Sequence, residues 1–180
     1  MQGESRQAHW ENVYNKKGEN EVSWFQESPA PSLESIAQVG ATPNSAIIDV
    51  GGGASRLVDN LVEKGFLDVT VLDLSGASLA AAKTRLGSHA AYVHWIVADA
   101  TIWDPPKAYD IWHDRAAFHF LTEEKDRDAY IARLKRALKT GGHRRWATAL
   151  RFDPDDRSNR PHTAGARSPP RLSRPRTQAA

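Results

Sequence analysis

The sequence predicts an α/β protein with a doubly wound, mostly parallel sheet and helices on both faces. Short apolar runs alternate with segments in which apolar residues recur every three or four positions, as in strands joined by amphipathic helices. Three glycines follow the first run, and aspartates follow the later ones. Four predicted strands comprise residues 46–50, 68–73, 91–97 and 109–113.

The first 40 residues are predicted to form two helices ahead of the first strand. Trp10, Val13 and Tyr14 make one apolar stripe on a short helix. Ser32 is placed to cap a second helix that ends at Gly40. Two interpretations of this aromatic segment stay open, a lid over a ligand site and a helix pinned to the core by its aromatic side chains.

A glycine-rich turn joins the first strand to the helix that Ser55 begins. A dinucleotide fingerprint needs a glycine at the sixth position, where this chain has Arg56. The alternative uses Asp49, two residues before the first glycine, to organise the turn and a cationic or polar ligand. A turn with no ligand is the third interpretation. The turn consists of Gly51, Gly52 and Gly53.

Acidic residues recur where the next two strands end. Asp73 ends the second strand, where an exposed carboxylate can accept hydrogen bonds from both hydroxyls of a ribose. Ser75 then caps an alanine-rich helix that Gly87 ends. Asp99 follows the third strand, and its carboxylate with the backbone amide of Ala100 suits the edge of an adenine.

The fourth strand leads to the predicted reaction centre. Ligands of open α/β sheets bind at the carboxyl ends of the strands, so His113, Asp114 and Arg115 are expected to border it. His113 and His119 make a poor metal pair, because no third ligand accompanies them. The helix after Thr122 is expected to end at the glycine pair 141–142.

Composition limits the classes of protein to consider. The chain has no cysteine, which excludes disulfides and thiolate metal sites, and no apolar run long enough to cross a membrane. A soluble, cytoplasmic protein is therefore expected. Residues 1–142 carry 15 Lys and Arg against 19 Asp and Glu, a net charge of −4, so nucleic acid is an unexpected partner.

The C-terminal 38 residues differ from the rest in composition. Residues 143–180 contain 9 Arg, no Lys and 3 Asp, a net charge of +6, with recurrent proline. Such a segment buries too little apolar surface to order itself, and it resembles a coding sequence read out of frame. The alternative is a basic arm that binds nucleic acid or an acidic partner, where lysine would normally accompany arginine. We therefore expect a disordered tail, and a fourth strand whose edge lacks a neighbour.

Residues from about 9 to 142 resemble the class I S-adenosylmethionine-dependent methyltransferases. The first motif of that family is acid-x-Gly-x-Gly, which residues 49–53 match, and the acids Asp73 and Asp99 follow in the family's order. The stretch 112–116, Trp-His-Asp-Arg-Ala, is similar to Trp-Asp-Arg-Gly-Ala of the thiopurine and thiol methyltransferase branch, with His113 as an extra residue.

The resemblance implies a Rossmann-like fold with S-adenosyl-L-methionine as cofactor and no metal. Asp114 and Arg115 would orient or deprotonate the methyl acceptor. The implied cofactor contacts are Asp49, Gly51, Gly52 and Gly53 at the methionine end, Asp73 with Leu74 at the ribose, and Asp99 with Ala100 at the adenine.

The resemblance also implies methyl transfer to a small-molecule nucleophile. It divides the chain into an N-terminal lid segment (1–40), a methyltransferase core (41–142) and the tail (143–180). Two alternatives stay open, a protein-lysine methyltransferase and an inactive or truncated cofactor-binding fold. The fifth strand and antiparallel hairpin that complete the family's sheet are not legible, so its C-terminal part is expected to be incomplete. Oligomeric state is left open.

Overall fold

The computed structural model describes residues 5–16, 21, 27–114 and 116–146 of the 180. Within them lies a five-stranded parallel sheet in the order β3-β2-β1-β4-β5, which confirms the predicted fold class. The strands are β1 (Ile47–Val50), β2 (Val69–Asp73), β3 (Val93–Val97), β4 (Tyr109–Asp114) and β5 (Leu138–Trp146). The helices are α1 (Arg6–Lys16), α2 (Ala30–Gln38), α3 (Leu57–Glu63), α4 (Gly76–Leu86) and α5 (Glu124–Ala137), with short 3-10 helices at Gly87–Tyr92 and Ala117–Phe120.

Helices cover both faces of the sheet. Successive residues of a strand point to opposite faces, so Ile47 packs in the core beneath α2, α3 and α4, while Ile48 packs beneath α5. Burial of each large aliphatic side chain contributes about 1.5–3 kcal/mol. The first core includes Ile36, Leu57, Leu61, Val71 and Leu79, and the second includes Val50, Leu72, Trp112, Tyr130 and Leu134.

Serine caps were predicted with mixed success. Ser75 caps α4 by accepting a hydrogen bond from the Ser78 amide at 3.1 Å. Ser55 accepts one from the Leu57 amide at 3.0 Å, at the start of α3. The prediction for Ser32 was wrong. The α2 helix begins at Ala30, three residues before the start that a Ser32 cap implies, and Pro31 lies in its first turn, a position that suits proline.

The expectation that the fourth strand lacks a neighbour was wrong. The α5 helix ends at Ala137, not at the glycine pair, and β5 pairs with β4 in parallel. The pairing shifts register between Tyr109 and Ile111, opposite a segment in which Gly141 has φ +81°. Charged residues are compatible with this strand because β5 lies at the sheet edge, where Lys139 and Arg144 are exposed.

The rest of the predicted tail, from residue 147 onward, lies outside the described residues. Its disorder stays a prediction. Among the described residues, no helix is long and apolar enough to span a membrane. The cytoplasmic location also stays a prediction.

Candidate active site

The carboxyl edge of the sheet brings the glycine turn and the strand-end acids together. In register, Asp49 of β1 lies beside Val71 of β2 and His113 of β4. The turn follows β1, between the ends of β2 and β4. This edge holds the acids predicted at the ends of β1 and β2, because parallel strands end on one side of the sheet.

Each glycine of the turn is required by its surroundings. A Cβ atom at Gly52 would lie 2.6 Å from Asp49 Oδ2 and 2.7 Å from Val71 Cγ1, distances that no side chain tolerates. Gly51 and Gly53 have φ values of +70° and +44°, which glycine adopts without strain. A Cβ atom at Gly53 would also lie 3.0 Å from Asp73 Oδ2. Only glycines let this backbone pass so close to both carboxylates.

Asp49 belongs to a buried polar chain that crosses from β1 to α2. Its Oδ1 atom lies 2.7 Å from His113 Nδ1, and His113 Nε2 lies 3.0 Å from Ser32 Oγ. All three residues are buried, with Asp49 and His113 fully inaccessible. The other carboxylate oxygen of Asp49, Oδ2, has no hydrogen-bond partner among the described residues.

Asp73 is buried, contrary to the expectation of an exposed acid. It is 9% exposed, and its Oδ1 accepts a hydrogen bond from the Ser75 amide at 2.8 Å. Burial raises the pKa of Asp73 to about 6, and the nearby charge of Asp49 adds to the rise. Leu74, the next residue, is partly exposed at the same edge.

Asp99 and Ala100 lie partly exposed after β3. One oxygen of Asp99 accepts hydrogen bonds from the Thr101 amide and hydroxyl at 2.8 and 2.7 Å. The other oxygen accepts one from Arg6 at 2.8 Å. An ionised carboxylate accepts about four hydrogen bonds, so room for one more donor remains.

Helix α1 lies across the same edge. Arg6 contacts Asp99 as above and also pairs with Asp126 at 3.2 Å. Glu11 accepts a hydrogen bond from the Ala77 amide in the first turn of α4, at 3.3 Å. Tyr14 reaches the glycine turn, since its hydroxyl lies 3.3 Å from the position of a Cβ atom at Gly53. The helix therefore covers the ends of β1, β2 and β3.

The end of β4 differs from the ends of β1 and β2. Asp114 is 1% exposed, and its Oδ2 accepts hydrogen bonds from the Tyr130 hydroxyl and, at 3.3 Å, from the Phe118 amide. The Tyr130 hydroxyl in turn accepts one from Trp112 Nε1 at 2.9 Å. Burial raises the pKa of Asp114 to about 6, despite these donors. Arg115 lies outside the described residues, so both catalytic roles stay predictions.

Several residues of the site were missed by the sequence argument. Ser32 was predicted to be a helix cap, and His113 was expected to border the reaction centre, whereas the two form a buried chain with Asp49. Arg85 of α4 was not considered, yet it donates to the carbonyls of Ala54 and Ser55 and so fixes the end of the glycine turn. Polar residues at otherwise apolar positions of a helix or strand were the available signal.

Residues 47–142, from β1 into β5, match a family described as a methyltransferase domain. The match covers more than half of the chain. The chain belongs to this family. The resemblance to class I S-adenosylmethionine-dependent methyltransferases is thereby confirmed, while the thiopurine and thiol branch stays a prediction.

Curated relatives of this methyltransferase-domain chain differ in the substrates that their names give. It is 23% identical over 141 residues to the mouse eEF1A lysine and N-terminal methyltransferase, covering 74% of this chain and 20% of the relative. It is 29% identical over 122 residues to trans-aconitate 2-methyltransferase of Rhizobium rhizogenes strain K84, covering 67% of this chain and 45% of the relative. The chain thus spans less than half the length of both curated relatives.

Several solved structures share the fold. The DhpI–SAM–HEP complex superposes with a TM-score of 0.63 at 16% identity, covering 81% of this chain and 66% of the other. The glycopeptide N-methyltransferase MtfA in complex with S-adenosylmethionine gives 0.57 at 19% identity, with coverages of 71% and 57%. A methyltransferase from Clostridium acetobutylicum ATCC 824 gives 0.59 at 18% identity, with coverages of 76% and 55%.

Proposed function

We propose that the chain binds S-adenosyl-L-methionine at the carboxyl edge of the sheet and transfers its methyl group to a small-molecule nucleophile. The observation that supports this best is the buried oxygen of Asp49, which has no partner among the described residues and lies directly beneath Gly52. A buried carboxylate oxygen left without a donor is costly. A ligand with a cationic donor at the glycine turn would remove that cost.

The charges of the site fit this cofactor. Asp49 and Asp73 are both buried, and the charge of Asp49 contributes to the raised pKa of Asp73. Two nearby carboxylates favour a cation between or beside them. S-adenosylmethionine carries a sulfonium and an ammonium group, so its methionine end would offset this repulsion.

The remaining polar groups suit the nucleoside. The carboxylate of Asp73 has lone pairs left to accept hydrogen bonds from the two ribose hydroxyls. Leu74, the next residue, is partly exposed beside it. Asp99 retains room for one donor, as the exocyclic amino group of adenine requires, and the amide of Ala100 lies beside it. We therefore assign Asp73 and Asp99 to the ribose and the adenine.

Methyl transfer requires little of the protein beyond aligning the acceptor with the methyl group. When bound, the cofactor supplies a methyl group already activated on a positively charged sulfur. The chain's own residues then orient the acceptor and exclude water. Asp114 anchors the 3-10 helix Ala117–Phe120, whose Ala117 Cβ lies 3.0 Å from where a Cβ of Gly51 would stand. We propose that Asp114 shapes the acceptor side of the site in this way, together with Arg115.

A small acceptor is favoured by the position of α1. Its residues reach Asp99, Ala77 and the glycine turn, so the cofactor's nucleoside end would be covered by the N-terminal segment, as a lid covers a site. A covered edge favours an acceptor that can be enclosed. Similarity to trans-aconitate 2-methyltransferase agrees with this choice, while similarity to the eEF1A lysine and N-terminal methyltransferase supports a protein acceptor.

Two measurements test the proposal. Titration calorimetry with S-adenosylhomocysteine is expected to show saturable binding at one site. Transfer of radiolabelled methyl from S-adenosylmethionine is then measured over thiols, halides, amines, carboxylic acids and lysine peptides. We expect label in small molecules. Binding without small-molecule transfer, but with label in the peptides, would contradict the choice of acceptor, and absence of binding would contradict the cofactor.

A further inference from the structure

Packing alone does not require the buried hydrogen-bonded chain that joins Ser32, His113 and Asp49. His113 is fully buried and lies on the face of the sheet that α2 covers, beside the apolar core that includes Ile36 and Ile111. Burying an imidazole, a hydroxyl and a carboxylate is at best neutral for stability, and apolar residues of similar size fill such positions as well. The chain is therefore better explained by what it does to Asp49.

The directions of its hydrogen bonds follow from chemistry. A carboxylate is an acceptor only, so the contact of 2.7 Å requires that His113 Nδ1 carry a proton and donate it to Asp49. In the neutral ring, Nε2 is then an acceptor, and the Ser32 hydroxyl donates to it across 3.0 Å. Asp49 thus fixes the tautomer, and the Ser32 hydroxyl, which can donate or accept, holds the other side of the ring in place.

The consequence lies at the other oxygen. With Oδ1 held by the imidazole, the carboxylate of Asp49 cannot rotate freely, and Oδ2 stays beneath Gly52 without a partner among the described residues. We propose that His113, set by Ser32 of α2, is a positioning residue that presents Asp49 Oδ2 to the ammonium group of the cofactor. The proposal rests on the proposed function and adds to it a link between the docking of α2 and cofactor affinity.

Two variants of His113 separate positioning from packing. The side-chain nitrogen of His113→Asn stands close to Nδ1 of the imidazole and still donates to Asp49. The amide of His113→Gln reaches the place of Nε2, so it contacts Ser32 and leaves Asp49 without its donor. Both variants remove the ring, and glutamine fills more of its volume than asparagine does, so packing alone would favour the glutamine variant.

The measurements are S-adenosylhomocysteine affinity by calorimetry and unfolding by urea for the wild type and both variants. Loss of a hydrogen bond to a charged group predicts an affinity about tenfold or more weaker for His113→Gln, against a change of less than about threefold for His113→Asn. The urea midpoint is expected to fall further for His113→Gln, because that variant leaves the buried carboxylate of Asp49 without its donor. If both variants lose affinity equally, or the glutamine variant keeps it, His113 only packs and the proposal is overturned.

A second readout uses the protein without ligand. Nitrogen-15 NMR of the His113 ring is expected to show the Nδ1–H tautomer in the wild type, since the carboxylate of Asp49 accepts that proton. An Nε2–H tautomer in the wild type would overturn the proposal. Failure of the wild type to bind S-adenosylhomocysteine would remove the proposed function and this role with it, whereas wild-type binding with equal variants removes this role alone.

Discussion

The two halves of the carboxyl edge hold their acids in different ways. At β1 and β2, Asp49 and Asp73 are contacted by an imidazole and a backbone amide, and each lies against the glycine turn. At β4, Asp114 is held by Tyr130, which is itself held by Trp112. The first half is a surface of backbone and carboxylates, and the second is an aromatic network beneath a 3-10 helix.

The comparison teaches that a perturbed pKa does not by itself assign a role. Burial raises the pKa of both Asp73 and Asp114 to about 6. Around Asp73 the neighbours include glycine and serine, which leave room for a ligand, whereas Asp114 is bound by the large side chain of Tyr130, which Trp112 contacts in turn. We therefore expect changes in the first half to affect ligand binding, and changes in the second to affect folding.

The largest effect is expected at Gly52, where a substitution should lower both stability and ligand binding. Gly52→Ala places a methyl group 2.6 Å from Asp49 Oδ2 and 2.7 Å from Val71 Cγ1, both in the buried sheet. We expect a loss of about 1–3 kcal/mol in the free energy of unfolding, the usual cost of overpacking, and loss of S-adenosylhomocysteine binding. Urea unfolding and calorimetry measure the two.

Gly76→Ala is the matched control for this substitution. Its added Cβ would meet Glu11 Oε1 at 3.6 Å, an ordinary contact, in the first turn of α4. We expect its stability to stay within about 1 kcal/mol of the wild type. A Gly52→Ala protein as stable as this control would mean that the turn can relax, and that its fit to Asp49 is loose.

The substitution Tyr130→Phe tests the β4 half of the carboxyl edge. It removes the donor to Asp114 and the acceptor for Trp112 Nε1, both buried. Leaving such groups unpaired costs about 1–3 kcal/mol each, so we expect a clear loss in urea unfolding. Affinity for S-adenosylhomocysteine in the folded protein should change less than about threefold. Tyr92→Phe, at a residue 65% exposed, is the control that should change neither.

A large loss of affinity in folded Tyr130→Phe would show that the β4 half also binds the cofactor. The contrast between the halves would then be wrong.

A further effect concerns pH. The pKa of Asp73 rises from 3.8 to about 6 on folding, so between these values the folded state binds more protons than the unfolded state. The contribution of Asp73 to stability is therefore full below pH 4 and is lost as pH rises through 6. In urea titrations across this range, Asp73→Asn should flatten the fall in stability relative to the wild type. If Asp73→Asn leaves the dependence of stability on pH unchanged, folding does not raise the pKa of Asp73.

The sequence predicted the parts of the site that depend on local order. The glycine turn, the Ser75 cap and the acids at successive strand ends follow from spacing along a few residues. Contacts between distant segments could not be predicted this way. His113 and Ser32 are 81 residues apart, and Arg6 and Asp99 are 93 apart. The β5 strand was missed because Lys139, Thr140, His143 and Arg144 are exposed, and the apolar pattern that marks a buried strand is absent there.

The most direct test of the account is the affinity of Asp73→Ala for S-adenosylhomocysteine, measured by titration calorimetry beside the wild type. Loss of hydrogen bonds to a charged acceptor predicts binding weaker by about 1.5–3 kcal/mol. Asp104→Ala, which removes an exposed carboxylate paired with Arg136, is the control and should bind as the wild type does. Wild-type binding with Asp73→Ala weakened at least tenfold is the predicted result, and equal affinities would contradict the placement of the cofactor at this edge.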